Sequence, residues 1–345
     1  MENYENPLGT DGFAFVEFVA EDKNYLAKNF EQLGFTNVAH AYKHDIDLYQ
    51  QDEIRFFINY CSDKQTSDFY AKHNSSPSAM GFYVENPLMA LEGAIKRGAT
   101  KVTENKDSVW ANVPAIYGIG GSIIYFVQRN DDFLQLFNVT KTATNGHGLQ
   151  FIDHLTHNVH RGNMDNWADF YSKIFGFREI RYFDIDGKLT GLFSKAMTSP
   201  CGKIKIPLNE SKDDKSQIEE FLREFNGEGI QHIALTAKDI YQSIKEIGKT
   251  SVKLLTTPAT YYELLDKRLP NHGEDTAKLK ELNILVDGTT APKRKLLLQI
   301  FTENLIGPSF FEIIQRKGDD GFGEGNFQAL FDSIELDQIR RGVIA

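Results

Sequence analysis

The stretch Ser309-Phe310-Phe311-Glu312-Ile313-Ile314-Gln315-Arg316 sets one carboxylate into a run of aromatic and β-branched residues. Such a run reads as a buried strand, and an acid inside it is costly unless something positive pairs with it. Nearly the same string occurs earlier. Ser122-Ile123-Ile124-Tyr125-Phe126-Val127-Gln128-Arg129 keeps the serine, the apolar run and the Gln-Arg end, but has Tyr125 where the later copy has Glu312.

Working outward from this pair, the whole chain repeats itself. Phe13-Ala14-Phe15-Val16-Glu17-Phe18-Val19 is strand-like and leads to a helical pattern around residues 25–30 that ends at Gly34. Gln150-Phe151-Ile152-Asp153-His154-Leu155 likewise leads to a helical pattern over residues 167–175 that ends at Gly176. Residues 80–84 precede a helix from Pro87 to about Arg97, and residues 230–235 precede one near residues 239–247. A glycine follows each helix, where a C-terminus favours one. The simplest organisation is α+β: four tandem βαβββ modules, two per half, forming two open-barrel domains. The expected division is 1–140 and 141–345, at the polar stretch 131–149, with polar insertions at 210–217 and 271–280 read as surface loops.

The second half alone carries a candidate metal site. His232 follows His154 by 78 residues and Glu312 follows His232 by 80, about one repeat each time. Two imidazoles and a carboxylate on rigid strands are the set that holds non-haem iron(II) with open positions, although the same donors also suit zinc. In the first half we align Phe18 with His154, Gly81 with His232 and Tyr125 with Glu312, so that half has the scaffold without ligands. Strand periodicity sends His157 to the face opposite His154, and His157 and His160 read as surface or loop residues. After Gly321-Phe322-Gly323-Glu324-Gly325 comes an amphipathic helix over about 326–340, with Asn326 as N-cap and Phe327, Leu330, Phe331, Ile334 and Ile339 on one face. Such a helix either packs its apolar face on the core, the commoner case, or closes over the pocket as a hinged lid, the reading that the resemblance given below favours.

Composition narrows the class. The chain has 345 residues, a net charge of −10, 41% hydrophobic and 25% charged residues, which fits a soluble cytoplasmic protein and argues against a nucleic-acid surface. No apolar run approaches the roughly 20 residues that span a bilayer, and the first residues do not read as a secretion signal. Cys61 and Cys201 match no metal-binding spacing.

With those residues in place, the chain resembles the 4-hydroxyphenylpyruvate dioxygenase family, of the vicinal oxygen chelate type, over nearly its whole length. The matching strings are Ile152-Asp153-His154, Pro207-Leu208-Asn209-Glu210, Lys215-Ser216-Gln217-Ile218, Gly229-Ile230-Gln231-His232-Ile233-Ala234, Tyr261-Tyr262, Leu298-Gln299-Ile300-Phe301-Thr302, Glu312-Ile313-Ile314-Gln315-Arg316 and Gly321-Phe322-Gly323-Glu324-Gly325-Asn326-Phe327. The resemblance implies that His154, His232 and Glu312 hold Fe(II). It implies that Ser194, Asn209, Gln217 and Gln231 are polar pocket residues, that Gln299 and Phe301 line the cavity, and that Phe322 and Phe327 contact the substrate ring, with Asn326 opening the closing helix.

The implied substrate is an aromatic 2-oxo acid, converted with O2 to homogentisate and CO2 by decarboxylation, ring hydroxylation and side-chain migration, a step of tyrosine and phenylalanine catabolism. The nearest alternative is 4-hydroxymandelate synthase, which oxidises the benzylic carbon; the amide at Asn209 favours the dioxygenase. A zinc or manganese lyase, or a binding protein on the same scaffold, is the alternative of another kind. The ligand-free first half is a plausible contact for a homo-oligomer.

Overall fold

The protein, as a computed structural model, is described over residues 4–103, 106–186 and 191–340. Its strands form two eight-stranded open sheets. The second runs in the order Arg178–Asp186, Gly191–Thr198, Lys205–Ser211, Leu149–Val159, Gly229–Ala237, Phe310–Lys317, Lys295–Phe301, Leu285–Thr289. Two βαβββ units thus stand back to back. The opening strands of the units, Leu149–Val159 and Gly229–Ala237, run antiparallel at the centre, and each has the last strand of its own unit as a parallel neighbour.

The first sheet repeats this around Thr10–Val19 and Ser76–Val84. Its second unit is looser: Ala115–Tyr117 and Ile123–Val127 stay beside Ser76–Val84, while Phe137–Val139 adds to the far edge, beside Thr36–Ala41.

Helix ends follow the local chemistry. Met164–Phe175 buries Ala168, Tyr171, Ile174 and Phe175 and stops at Gly176 with φ 71°, the left-handed C-terminal geometry glycine allows. Asn86 and Asp239 cap Pro87–Lys96 and Ile240–Ile247 through their side-chain oxygens. Two helices between units escape the repeat pattern, Lys64–His73 and Gln217–Phe225. Ile218, Phe221, Leu222 and Phe225 pack with Phe69 and Val19, and His73 Nδ1 meets the Phe225 carbonyl at 2.7 Å, so this pair stitches the halves together. Within 271–280, expected as a loop, a short helix Thr276–Glu281 starts at the cap Asp275.

Pairing registers correct the internal alignment. Ala234 faces His154 on one side and Glu312 on the other; in the first sheet Gly81 faces Phe15 and Tyr125. The counterparts of His154 and His232 are therefore Phe15 and Ala79, not Phe18 and Gly81, while Tyr125 does match Glu312. Phe15 stacks on Trp110 at 5.1 Å, and Phe57, Tyr125, Phe133 and Phe137 complete the cluster, so aromatic rings fill the space where the other half gathers donors. His157 is also corrected. It is fully buried with Nε2 2.8 Å from the Tyr171 hydroxyl, and burial pushes its pKa down to about 3. Opposite faces of a strand need not mean core and solvent when helices cover the second face. His160 is exposed, as expected.

Candidate metal centre and active-site cavity

Three central strands of the second sheet bring His154, His232 and Glu312 together, with one donor atom from each within 4.8 Å of the others. Glu312 Oε2 lies 3.1 Å from His154 Nε2 and 3.4 Å from His232 Nε2. Metal bonds of about 2.1 Å at right angles put neighbouring donor atoms about 3 Å apart, so the spacing fits a metal held on one face by three ligands. Among the described residues no other group of His, Cys, Asp or Glu is arranged this way.

The residues just before the two histidines prepare them. On a regular strand Asp153 and Gln231 would point away from their neighbours. Both stand at register shifts, where two residues on one strand oppose one on the other: Ile152 and His154 face Leu235 and Ala234, and Ile230 and His232 face His157 and Thr156. Such bulges re-aim a side chain. Asp153 Oδ2 accepts from His154 Nδ1 at 2.8 Å, and Gln231 Oε1 accepts from His232 Nδ1 at 3.0 Å. With Nδ1 protonated in each ring, both Nε2 lone pairs are free for a metal. The first half has the same two shifts, at Ala14 and Ser78, so the bulges belong to the scaffold.

Electrostatics agree. Burial opposes ionisation of Glu312, but His154 and His232 outweigh it and hold its pKa down to about 2. Burial likewise opposes charge on His154, yet Glu312 and Asp153 push its pKa up; for His232 burial wins and the pKa falls. Asp153, buried, stays well below the usual carboxylate range because Arg316 and His154 outweigh its desolvation. Arg316 grips it with two hydrogen bonds, Nε–Oδ1 2.8 Å and Nη2–Oδ2 2.7 Å, and Nη1 donates to the carbonyls of Asp319 and Gly321.

Over the triad sits a small cavity of about 60 Å³, lined on its polar side by Ser194 and Asn209 and on its aromatic side by Phe301, Phe322 and Phe327. Phe322 meets His154 edge-on at 5.3 Å. That volume is room for about two waters, less than an aromatic acid fills. Phe183, Ile185, Leu192 and Pro207 complete the apolar wall; Pro207 opens a matching string, and nothing in the local sequence marks the other three. A cavity of about 710 Å³ lies at the seam of the halves and reaches the triad only through Asp153, so its size does not make it the site.

Four of the sequence-derived pocket residues sit elsewhere. Gln217 is the exposed first residue of Gln217–Phe225, a quarter-turn from that helix's buried stripe, and does not line the cavity. Gln231 is behind His232, as above. Gln299 donates to Glu312 Oε1 at 2.9 Å and accepts from Asn326 Nδ2 at 2.7 Å. Asn326 lies inside the first turn of Glu324–Arg340 instead of capping it. The helix starts two residues earlier, at Glu324, whose carboxylate turns back to accept the Phe322 N–H at 3.0 Å. Phe327 is 42% exposed at the cavity rim; the side chains of Phe331, Ile334 and Ile339 lie outside the described residues. Asp153 and Arg316 were missed as functional residues, and an acid directly before a ligand histidine was the available signal.

Comparison with known proteins agrees with this geometry. A family model described as hydroxyphenylpyruvate dioxygenase, N-terminal, matches residues 4–141, and one for the glyoxalase/bleomycin resistance protein/dioxygenase superfamily matches residues 151–265. A 4-hydroxyphenylpyruvate dioxygenase from Legionella pneumophila (strain Corby) is 54% identical over 100% of this chain and 99% of its own length. Among solved structures, a xylose isomerase-like TIM barrel/4-hydroxyphenylpyruvate dioxygenase fusion protein superposes with a TM-score of 0.81 at 26% identity, covering 96% of this chain and 54% of that one. A mutant 4-hydroxymandelate synthase from Streptomyces coelicolor superposes at 0.79 over 96% of this chain and 100% of its own, with 24% identity, a likeness of fold. With 54% identity along its full length and the two-histidine, one-glutamate centre in place, this chain belongs to the 4-hydroxyphenylpyruvate dioxygenase family.

Proposed function

We propose that this chain is an iron(II)-dependent dioxygenase that converts 4-hydroxyphenylpyruvate and O2 to homogentisate and CO2. The observation that carries this reading is the convergence of His154, His232 and Glu312, with both Nε2 atoms free, beneath a cavity walled by phenylalanines. Iron(II), when bound, supplies the redox chemistry and a template for the 2-oxo acid. Both electron pairs come from the substrate, whose side chain loses CO2 while one oxygen atom enters the new carboxylate and the other the ring.

The protein's share is placement and exclusion of water. Phe301, Phe322 and Phe327 hold the ring by edge and offset contacts. Ser194 and Asn209, paired across neighbouring strands, hydrogen-bond the phenol oxygen; an amide donates and accepts there without titrating. Gln231, Gln299 and Asn326 act one step out, through the ligands, and we assign Gln217 no contact. We divide the chain functionally at residues 140 and 141, the first part scaffold and the second catalytic. Leu88, Met89 and Ile95, exposed on Pro87–Lys96, are our proposed contact between copies; an unchanged sedimentation mass in a Leu88→Lys, Met89→Lys variant would remove it.

The deciding experiment is product analysis of iron(II)-loaded protein with 4-hydroxyphenylpyruvate and air. Homogentisate is expected. 4-Hydroxymandelate would overturn the roles of Asn209 and the phenylalanines while keeping the metal site. Neither product, with no oxygen consumed, would overturn the metal or the substrate class.

A further inference from the structure

Behind Glu312 runs a buried chain of hydrogen bonds whose direction is fixed at its far end. The two N–H groups of Arg268 Nη2 face three acceptors, the Tyr261 hydroxyl at 2.7 Å, the Val286 carbonyl at 2.6 Å and Asn326 Oδ1 at 3.2 Å, so one of them is shared. The Val286 N–H donates to the same hydroxyl at 2.9 Å. With two donors aimed at its oxygen, Tyr261 has one proton for two acceptors, and Asn326 Oδ1 at 2.6 Å is nearer than the Val286 carbonyl at 3.1 Å. A guanidinium has no acceptor, so Asn326 must turn its carbonyl toward Arg268 and Tyr261 and its NH2 toward Gln299. Gln299 must then turn its carbonyl toward Asn326 and its NH2 toward Glu312 Oε1. Neither amide can flip without setting two donors or two acceptors against each other.

We infer that Tyr261 and Arg268 are positioning residues that fix Glu312 as a one-oxygen metal ligand and make its geometry depend on the seating of the C-terminal helix. Gln299 ties back Oε1, leaving Oε2 as the oxygen that faces both histidines. The link passes through Asn326, in the first turn of Glu324–Arg340, and that turn is held to the same support: Asp287 Oδ2 accepts the Gly325 N–H at 2.8 Å, and Arg268 pairs with Asp287 at 3.5 Å. Tyr261 and Arg268 belong to Ala259–Arg268, the helix packed beneath the lid. When the lid lifts, Asn326 leaves, Gln299 loses the partner that orients it, and Glu312 is free to turn. When the lid seats, the carboxylate is locked. Closure over substrate and completion of the ligand geometry then become one event, a coupling through a contiguous network with two arrangements.

The inference rests on the metal reading above, and its test separates the two. Apo protein is titrated anaerobically with cobalt(II), whose visible ligand-field bands report the number and geometry of donors. Wild-type protein is compared with Tyr261→Phe, with Gln299→Leu and with the double variant, and thermal melts check folding. We expect Tyr261→Phe to weaken cobalt(II) binding by about tenfold, as loss of an outer partner does, to shift the bands, and to add nothing in the Gln299→Leu background. Asn326→Asp, nearly isosteric, repeats the loss because an acceptor then faces Gln299 Oε1. An equal effect of Tyr261→Phe with and without Gln299, or no effect on affinity and bands, would overturn the relay and leave the metal site standing. Wild-type protein that binds no cobalt(II) would overturn both.

Discussion

At the scale of single residues, the metal centre depends on two side chains that a regular strand would send the wrong way. Asp153 and Gln231 meet His154 and His232 only because each stands at a bulge. The three candidate ligands were legible in the sequence, and the structure brings them together; the comparison between halves held for Tyr125 against Glu312 but had the wrong partners for both histidines. Asp153 was not legible in its role, since the bulge is a property of pairing register and register needs both strands. Glu312→Ala is expected to abolish metal retention and turnover with little loss of secondary structure; metal content after gel filtration, together with circular dichroism, checks it, and wild-type retention would remove the assignment. Arg316→Met is expected to be worse for the fold. It leaves Asp153 charged, buried and without its main partner, a kind of loss that costs about 3–5 kcal/mol. Urea midpoints measure it, and a change within experimental scatter would mean that Lys205, 3.4 Å from Asp153, suffices alone.

At the scale of elements, repetition made the βαβββ units readable, and what lies between units was not. Gln217–Phe225 carries a clear apolar stripe of Ile218, Phe221, Leu222 and Phe225, but the polar run 210–217 before it was read as a loop that takes in its first residue. Gln217 was expected in the pocket on the family resemblance of Lys215-Ser216-Gln217-Ile218 alone. The C-terminal helix shows how a start can be misplaced by two residues: Asn326 has the side chain of a cap, but the helix begins at Glu324 and the Asn326 amide is recruited into the chain to Glu312. Gly323 makes this seating possible. Its φ is +80°, and a Cβ there would stand 1.7 Å from Gln299 Oε1. Gly323→Ala therefore combines a left-handed backbone cost of about 1–3 kcal/mol with a clash at the relay. We expect lower kcat and faster cleavage of the C-terminal helix by a dilute protease, with the melting temperature nearly kept. Unchanged kcat and protease resistance would show that the lid does not need this close approach.

At the scale of the whole molecule, the two halves keep the same pairing of central strands and the same two bulges, and differ in one edge strand and in what fills the centre. One gathers buried donors; the other packs Phe15, Phe57, Trp110 and Tyr125. Against the aromatic cluster stands Glu17, almost fully buried and hydrogen-bonded by Trp110 Nε1. Burial first, and the charge of Asp63 in addition, push its pKa from 4.5 to about 8 against the help of Trp110 and Asn59. The native state therefore holds a proton that the unfolded chain releases near pH 4.5. Its contribution to stability is complete below that pH and is lost as pH rises toward about 8, at up to about 1.4 kcal/mol per pH unit. His157 works in the opposite direction. Its pKa falls from 6.5 to about 3, so its contribution is present above pH 6.5 and lost on acidification. A Glu17→Gln variant keeps His157, so His157 drops out of the difference between variant and wild type. That difference, read from urea midpoints at pH 5, 6, 7 and 8, is expected to grow steadily in favour of Glu17→Gln and then level off. A difference that stays flat across this range would mean that Glu17 is already ionised in the folded protein, and that the aromatic half tolerates a buried charge where its packing gives every reason to keep it neutral.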